Sequence, residues 1–190
     1  MLAADLIASI LNNDKAALKA AFDNYYPRLA PIALRYGKNQ SQADEIIAQG
    51  FYAVLNKLKN ERQAPLDLDF FIEREFISEC IAFIKAIRSE YYVSSTVYAP
   101  GDATTKNYDL FDSNDAIDYK QIDNEILIKC LQQLVPSQRL IFNLHVVDGF
   151  TLQEAAALLE SSEGTIKSNL EKARFNLQKN IEKTLKSEKS

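Results

Sequence analysis

The sequence predicts an all-helical (all-α) protein of two small domains joined by an acidic linker, with a helix-turn-helix in the second domain. Three observations support this. The first half contains four segments in which apolar residues recur every three or four positions, which is typical of helices with one buried face. Residues 93–119 lack that period and are rich in Ser, Thr, Asn, Asp and Gly. Residues 151–177 combine a helix-capping signal, a tight turn and a second apolar stripe. The predicted limits are therefore 1–92, a linker over 93–121, and 122–190.

The first domain is expected to contain four helices. Polar, glycine and proline residues, which commonly end helices, separate the periodic segments. Pro27 and Pro31 fall inside the second helix, where proline removes a backbone donor and clashes with the preceding turn. We therefore expect that helix to be kinked or interrupted. The predicted limits of the four helices are 2–11, 14–36, 41–58 and 68–92.

The linker holds the negative excess of the chain. The 190 residues include 22 basic and 26 acidic side chains, for a net charge of -4. Residues 93–128 contribute 2 basic and 7 acidic ones, against 11 and 12 in residues 1–92 and 9 and 7 in residues 129–190. A negative chain is unusual for a protein that binds DNA by itself, because such proteins usually present a basic surface.

The helix-turn-helix is read from residues 151–177. Thr151 and Glu154 have the capping-box spacing that starts a helix. A short helix with small apolar residues follows, and Ser161 and Ser162 can cap a second helix after a tight turn. The second helix carries an apolar stripe that should face a core, formed by Ile166, Leu170, Ala173 and Leu177.

The remaining faces of the second helix carry cations and short polar side chains. In a helix-turn-helix, the N-terminal part of this helix enters the major groove, where such groups reach base edges and phosphates. The pattern predicts binding to duplex DNA. The alternative is an ordinary amphipathic helix with a solvated charged face. The candidate DNA-binding residues are Thr165, Lys167, Ser168, Asn169, Lys172 and Arg174.

Other kinds of site find little support in the sequence. No stretch approaches the roughly 18 apolar residues of a membrane span, and the first residues lack the basic start of a secretory signal, so we expect a cytoplasmic protein without membrane insertion. Cys80 and Cys130 lie in apolar helical patterns and are predicted to be free buried thiols. His145 has no second histidine or cysteine pair to form a metal site, and we treat it as structural. Because no catalytic cluster or phosphate-cradling glycine loop is visible, we expect neither an enzyme nor a cofactor.

Residues 131–177 resemble region 4 of bacterial RNA polymerase sigma factors of the sigma-70 family, most closely the extracytoplasmic-function (ECF) group. The resemblance rests on Arg139 and its apolar helix, on Gly149, Thr151 and Glu154, and on the run from Gly164 to Ser168 with Ala173 and Arg174 after it. The family's Leu-Pro turn is Leu134-Val135-Pro136 here. Glu160 replaces a turn glycine, Ser161 replaces an apolar residue, and Asn169 and Lys172 replace two frequent arginines. Since Asn favours adenine and Arg favours guanine, the promoter sequence can differ from the family's common one.

The resemblance implies roles for the residues of the second domain. The six candidate DNA-binding residues would contact the minus-thirty-five promoter element. Phosphates would be held by Arg139, Thr151 and Gln153.

Residues 14–58 are similar to sigma region 2, including the helix that binds the polymerase clamp. The resemblance rests on the run from Ala43 to Phe51, although Gly50 lies inside the predicted helix at a cost of about 1 kcal/mol relative to alanine. The polymerase-binding residues that it implies are Asp44, Glu45, Gln49 and Phe51. The melted minus-ten strand would meet a group of aromatic and basic residues, because aromatic rings stack on unpaired bases. This group consists of Lys85, Arg88, Tyr91 and Tyr92, which could equally be core and helix-end residues.

The predicted function is that of a sigma factor, which binds core RNA polymerase and directs it to promoter DNA, and an anti-sigma partner is common in that family. The alternative is a stand-alone helix-turn-helix regulator whose N-terminal half senses a ligand or partner. A response regulator would show a strand-helix alternation with an acidic pocket, and residues 1–92 show none.

Overall fold

The computed structural model describes residues 3–61, 65–87 and 122–188. Within these ranges the regular structure is entirely helical, which confirms the predicted fold class. The chain divides into two compact units, Met1–Ala86 and Ile87–Ser190. The acidic linker predicted over residues 93–121 lies outside the described residues, and the predicted domain limits stay a prediction.

The first unit contains four helices at nearly the predicted positions. They are α1 (Ala3–Leu11), α2 (Lys15–Tyr36), α3 (Gln40–Asn60) and α4 (Leu68–Ala86). The side chain of Asp14 caps α2, accepting hydrogen bonds from the N–H groups of Ala16 and Ala17. Asn39 caps α3 in the same way through the N–H of Gln42.

α2 runs through Pro27 and Pro31 without interruption, so the expected interruption does not occur, and the alternative expectation of a kink stays a prediction. Both prolines are exposed, and the residues on the other side of the helix are buried, among them Tyr25 and Leu29. The carbonyls that lose their helical partners are those of residues four positions earlier, Asp23 and Pro27, which are exposed too. Water can therefore satisfy them while the buried face keeps the helix in place.

α3 and α4 approach each other closely at Gly50. A Cβ atom at this position would lie 2.9 Å from Cε2 of Phe76, whose side chain is 0% exposed. The glycine is therefore a packing requirement. Its cost within the helix is offset by the contact between the two helices.

A polar cluster joins α2 to α4. The hydroxyl of Tyr25 donates to Oδ1 of Asp69 at 2.9 Å, and the guanidinium of Arg28 pairs with the other carboxylate oxygen. Burial and the hydrogen bond to Asp69 raise the pKa of Tyr25 to about 12. The hydrogen bonds from Arg28 and then from Tyr25 hold the pKa of Asp69 below its ordinary value.

The described residues of the second unit contain a further four α-helices. They are α5 (Asn124–Gln132), α6 (Pro136–Phe142), α7 (Leu152–Leu158) and α8 (Glu163–Glu188). A π-helical turn, Asn143–Val147, extends α6. It is closed by the N–H of Asp148, which donates to the carbonyl of Asn143 at 2.9 Å. Nδ1 of His145 donates to the carbonyl of Phe150 at 2.7 Å, so this histidine has the structural role that we predicted.

The core of the second unit forms where α8 packs against α5, α6 and α7. Leu131, Leu134 and Ala173 form a buried cluster with Phe142 and Leu177 packed beside it. Cys130 is 0% exposed, as is Cys80 in the first unit, and both are free thiols, which confirms that prediction.

Candidate nucleic-acid interface

The helix-turn-helix begins with the predicted capping box at Thr151. Its hydroxyl accepts a hydrogen bond from the N–H of Glu154 at 3.1 Å, and its own N–H donates to Oε2 of Glu154 at 2.7 Å. The two residues satisfy donors at the helix start reciprocally, which fixes where α7 begins.

The turn between α7 and α8 has the geometry of a Schellman cap. The N–H of Ser161 donates to the carbonyl of Ala156 at 2.9 Å, and that of Glu160 to the carbonyl of Ala157 at 3.3 Å. Glu160 has a φ of 51°, in the left-handed region that favours glycine. The left-handed turn therefore forms at Glu160, where sigma region 4 commonly has a glycine. Oγ of Ser162 then accepts from the N–H of Thr165 at 3.1 Å and caps α8.

α8 turns one apolar stripe inward and presents two rows of side chains outward. Ile166, Leu170 and Ala173 are 1%, 4% and 0% exposed, as the stripe predicts. Residues three or four positions apart lie on one side of a helix. The first row is accordingly Lys167, Glu171 and Arg174, all exposed, and the second row is Thr165, Ser168 and Lys172.

Asn169 differs from the other candidate DNA-binding residues. It is half-buried at the edge of the core stripe, and its side-chain nitrogen donates to the carbonyl of Thr165 at 3.0 Å. The structure thus places four of the six candidates at exposed positions of α8, leaves Lys172 half-buried at the end of the second row, and directs the amide nitrogen of Asn169 back to its own helix.

Arg139 requires a correction. It is 1% exposed, and its guanidinium donates to the carbonyls of Gln132 at 3.2 Å and Leu134 at 2.8 Å. These carbonyls lie where α5 ends, so the buried cation stabilises the turn into α6. The expected role in holding a DNA phosphate is wrong, because the guanidinium cannot reach the surface without leaving these partners.

Thr151 and Gln153 lie at the exposed start of α7. Glu154 takes both donors of Thr151, since the hydroxyl also donates to Oε2 of Glu154 at 2.9 Å. Of the three residues expected to hold phosphates, Gln153 is therefore the one with an exposed side chain outside the capping box.

The candidate polymerase-binding residues lie on α3. Asp44, Glu45 and Gln49 are exposed, and their side chains are ordered by bonds along the helix: Gln40 donates to Asp44 at 2.7 Å, and Gln49 to Glu45 at 3.0 Å. The structure brings these three together on one face of α3.

Phe51 is not part of that face, which is a second correction. It is 6% exposed, and its ring packs edge-on against Phe22 with the centroids 5.3 Å apart. The exposed aromatic residue is the next one, Tyr52, which is 69% exposed. Tyr52 lies three positions after Gln49 and seven after Glu45, so it shares their face.

The candidates for contact with a melted strand are described only in part. Lys85 is half-buried in the last turn of α4. Arg88, Tyr91 and Tyr92 lie outside the described residues, and their proposed role stays a prediction.

Comparison with known proteins places the helix-turn-helix in a family. Residues 124–177 match the family model for sigma-70, region 4. This segment is therefore similar to region 4 of the sigma-70 family. The match spans α5 to α8 up to the end of the predicted helix-turn-helix, and it confirms the resemblance seen in the sequence. The search of curated proteins found no match to the chain.

A solved structure shares a similar fold with this chain. The chain is similar to the sigma factor RpoE of Bartonella quintana, which was crystallised with the anti-sigma factor NepR. The similarity covers 86% of this chain and 96% of that one, with a TM-score of 0.52 and 20% sequence identity. At this identity the match shows a shared fold that extends beyond region 4.

Other kinds of site are not visible in the described part of the chain. None of its helices has the length and apolar character needed to cross a bilayer. In the same ranges, no group of three or more His, Cys, Asp or Glu side chains is arranged to hold a metal ion.

Two residues on these surfaces were missed by sequence reasoning, Glu171 in region 4 and Tyr52 on α3. In both cases the signal was helical spacing. Glu171 continues the row of Lys167 and Arg174, and Tyr52 continues the row of Glu45 and Gln49. The resemblance directed attention to residue types that match the family instead.

Proposed function

We propose that this protein is a sigma factor of the ECF group, which binds core RNA polymerase and directs it to promoter DNA. The observation that supports this most is the outward surface of α8 within the segment that matches sigma-70 region 4. Lys167, Ser168, Lys172 and Arg174 are positioned there by a capped helix and a defined turn. Lys and Arg in this setting contact phosphates and guanine, and Ser contacts base edges.

The first unit would supply the polymerase contact. Asp44, Glu45 and Gln49 lie together on α3, and two of them are carboxylates that suit a basic partner surface. Tyr52 adds an exposed aromatic side chain to the same face, and tyrosine is enriched among the residues that dominate binding energy at interfaces. We propose that this face docks on the polymerase clamp.

The electrostatics favour a polymerase subunit over a regulator that acts by itself. Residues 129–190 contain 9 basic and 7 acidic side chains, and Arg139 is buried, so the surface charge of this segment is nearly balanced. A protein that binds DNA alone draws most of its affinity from neutralised phosphates. In the proposed complex, the core polymerase supplies much of that contact.

Three further features follow from this proposal. The protein acts in the cytoplasm, where the polymerase is. It carries out no catalysis itself, because the polymerase supplies the chemistry. An anti-sigma factor is a third partner, since the structurally similar RpoE was crystallised with one.

The decisive experiment mixes the full chain with bacterial core polymerase and a library of promoter fragments. We expect a stable complex and transcripts from a subset of promoters. Lys167→Ala and Lys172→Ala should each lower promoter-dependent transcription about 5-fold or more, as expected for the loss of a groove contact, with polymerase binding unchanged. The matched control is Lys183→Ala, an exposed lysine farther along α8, which should transcribe like the wild type.

A charge reversal on the α3 face tests the other half of the proposal. Glu45→Lys should weaken binding to core polymerase without unfolding the chain, because the side chain is exposed. Tight sequence-specific DNA binding by the chain alone, with no polymerase complex and no transcripts, would show that the protein is a stand-alone regulator.

A further inference from the structure

Glu171 is an acidic side chain in the middle of a basic row. It is exposed on α8, with Lys167 one turn before it and Arg174 one turn after it. Its carboxylate makes no hydrogen bond or ion pair with any residue in the described part of the chain. The two cations that flank it therefore leave it available to a ligand on the outward surface.

A carboxylate that faces DNA discriminates between bases because most groups on the DNA surface are negatively charged or are hydrogen-bond acceptors. Phosphates repel it, and the major-groove edges of guanine and thymine offer acceptor atoms at the positions where it would approach. Only the amino groups of cytosine and adenine can donate a hydrogen bond to it there. The adenine amino group stands next to the acceptor N7, whereas the cytosine amino group has a C–H neighbour within its own base.

We infer that Glu171 accepts a hydrogen bond from the N4 amino group of cytosine and so selects a C·G pair at one position of the promoter. This inference rests on the proposed function, because it requires the outward surface of α8 to enter the major groove. Lys167 and Arg174 lie one turn away on either side, where they can hold phosphates or the adjacent guanine and keep the carboxylate close to the DNA. The row thus combines attraction to any DNA with rejection of the wrong base.

The same carboxylate lowers binding to unrelated DNA. Where no cytosine stands opposite it, Glu171 loses its water without gaining a partner and faces the phosphates as a like charge. Removing the charge should therefore strengthen nonspecific binding while it weakens discrimination, an outcome that a merely structural role would not produce.

The test is a selection from random duplexes with the full chain, carried out with and without bacterial core polymerase. Wild type should enrich cytosine at one position. Glu171→Ala should lose this preference by about 5-fold or more, the range of one good base contact, and should bind unrelated DNA more tightly. Glu171→Gln should shift the preference at that position to adenine, which an amide contacts through N6 and N7. Glu182→Gln, the same change farther along α8, should select the wild-type sequence.

The outcomes separate this inference from the proposed function. A motif that Glu171→Gln and Glu171→Ala leave unchanged, or weaken evenly at all positions, overturns the role of Glu171 and leaves the sigma-factor proposal intact. A cytosine preference seen only without polymerase, and changed by these variants, supports Glu171 and overturns the sigma-factor proposal. No enriched sequence in either arm overturns both.

Discussion

Glu160 occupies a left-handed backbone position with a side chain that makes this conformation costly. Its φ of 51° places Cβ near the following carbonyl, which destabilises L-residues relative to glycine. The Schellman hydrogen bonds from Glu160 and Ser161 hold the turn in place nonetheless. The turn therefore keeps the geometry that a glycine would provide, at some loss of stability.

Glu160→Gly is expected to raise the free energy of unfolding by about 0.5–1 kcal/mol, because removal of Cβ relieves this backbone strain. Urea unfolding of the full chain measures the change. Glu160→Ala is the matched control, since it removes the carboxylate but keeps Cβ, and it should give no such gain. If both variants raised the free energy of unfolding equally, the gain would come from removal of the carboxylate charge and not from relief of backbone strain.

The Tyr25–Asp69 pair makes stability depend on pH at both extremes. The raised pKa of Tyr25 means that its contribution is complete below about pH 10 and is lost as pH rises to about 12. The lowered pKa of Asp69 acts in the opposite direction. Its contribution is complete above the ordinary carboxyl pKa of about 3.9 and is lost as pH falls below it.

Tyr25→Phe should lower the free energy of unfolding by about 1 kcal/mol at neutral pH, through loss of the hydrogen bond to Asp69. The difference from wild type should shrink as pH rises from 10 to about 12, since wild-type Tyr25 itself ionises there. On the acid side the difference should also shrink as Asp69 is protonated, because the hydrogen bond from Tyr25 is one cause of the lowered pKa of Asp69. Denaturant unfolding across pH measures both effects, with Tyr26→Phe, an exposed neighbour, as the control. A difference that stays constant across the alkaline range would contradict the role of the Tyr25 hydroxyl.

At the scale of elements, the pairing of α3 with α4 depends on Gly50. Helix propensity alone predicts that Gly50→Ala stabilises α3 by about 1 kcal/mol. The contact with Phe76 predicts the opposite, because a methyl group at this site would overlap a ring that is fully buried. Overpacking of this kind typically costs about 1–3 kcal/mol, so the steric term should win.

Gly50→Ala is therefore expected to destabilise the first unit by up to about 2 kcal/mol net. Thermal and denaturant unfolding can measure this. Asn56→Ala, at an exposed position of the same helix, should instead be neutral or slightly stabilising. A gain in stability with Gly50→Ala would show that α4 can move aside and that the close approach is not required.

Element limits were largely predictable from the sequence, and the reasons for the misses are physical. The helices of the first unit were located by apolar period and by breaks such as Asn12-Asn13 and Gly37. The continuity of α2 through Pro27 and Pro31 was not predictable, because it depends on both prolines facing away from the core. The spacing of apolar residues shows that a helix has a buried face. It does not show which positions can lose a backbone hydrogen bond without ending the helix.

The candidate site was less predictable than the fold. The resemblance transferred residue types to Arg139 and Phe51, but both are buried in structural roles. An arginine directed at the end of the preceding helix and a phenylalanine packed on Phe22 look the same in sequence as exposed binding residues. Whether a side chain is exposed depends on the packing of other helices against it. Helical spacing predicts exposure only when several residues on the same face of a helix are considered together.

At the scale of the whole molecule, the charge is distributed by unit. The negative excess falls in residues 93–128, whereas the described cations of the second unit are concentrated along α8. An even spread of the same net charge would surround α8 with repulsion from DNA. Concentrating the cations along one helix allows an acidic chain to present the proposed DNA-binding surface.

Under the proposed function, the π-helical turn at Asn143–Val147 makes segment length a variable of promoter recognition. A π turn takes up one residue more than an α turn, so the chain leaves α6 in a direction that a regular helix would not give. That direction sets the orientation of α7, and the turn at Glu160 then fixes the orientation of α8 relative to α7. A single insertion or deletion here would re-aim the recognition helix while every base-contacting side chain stayed the same. Related proteins could thus differ in how α8 approaches a promoter because this segment differs in length, even when the residues that contact the bases are the same.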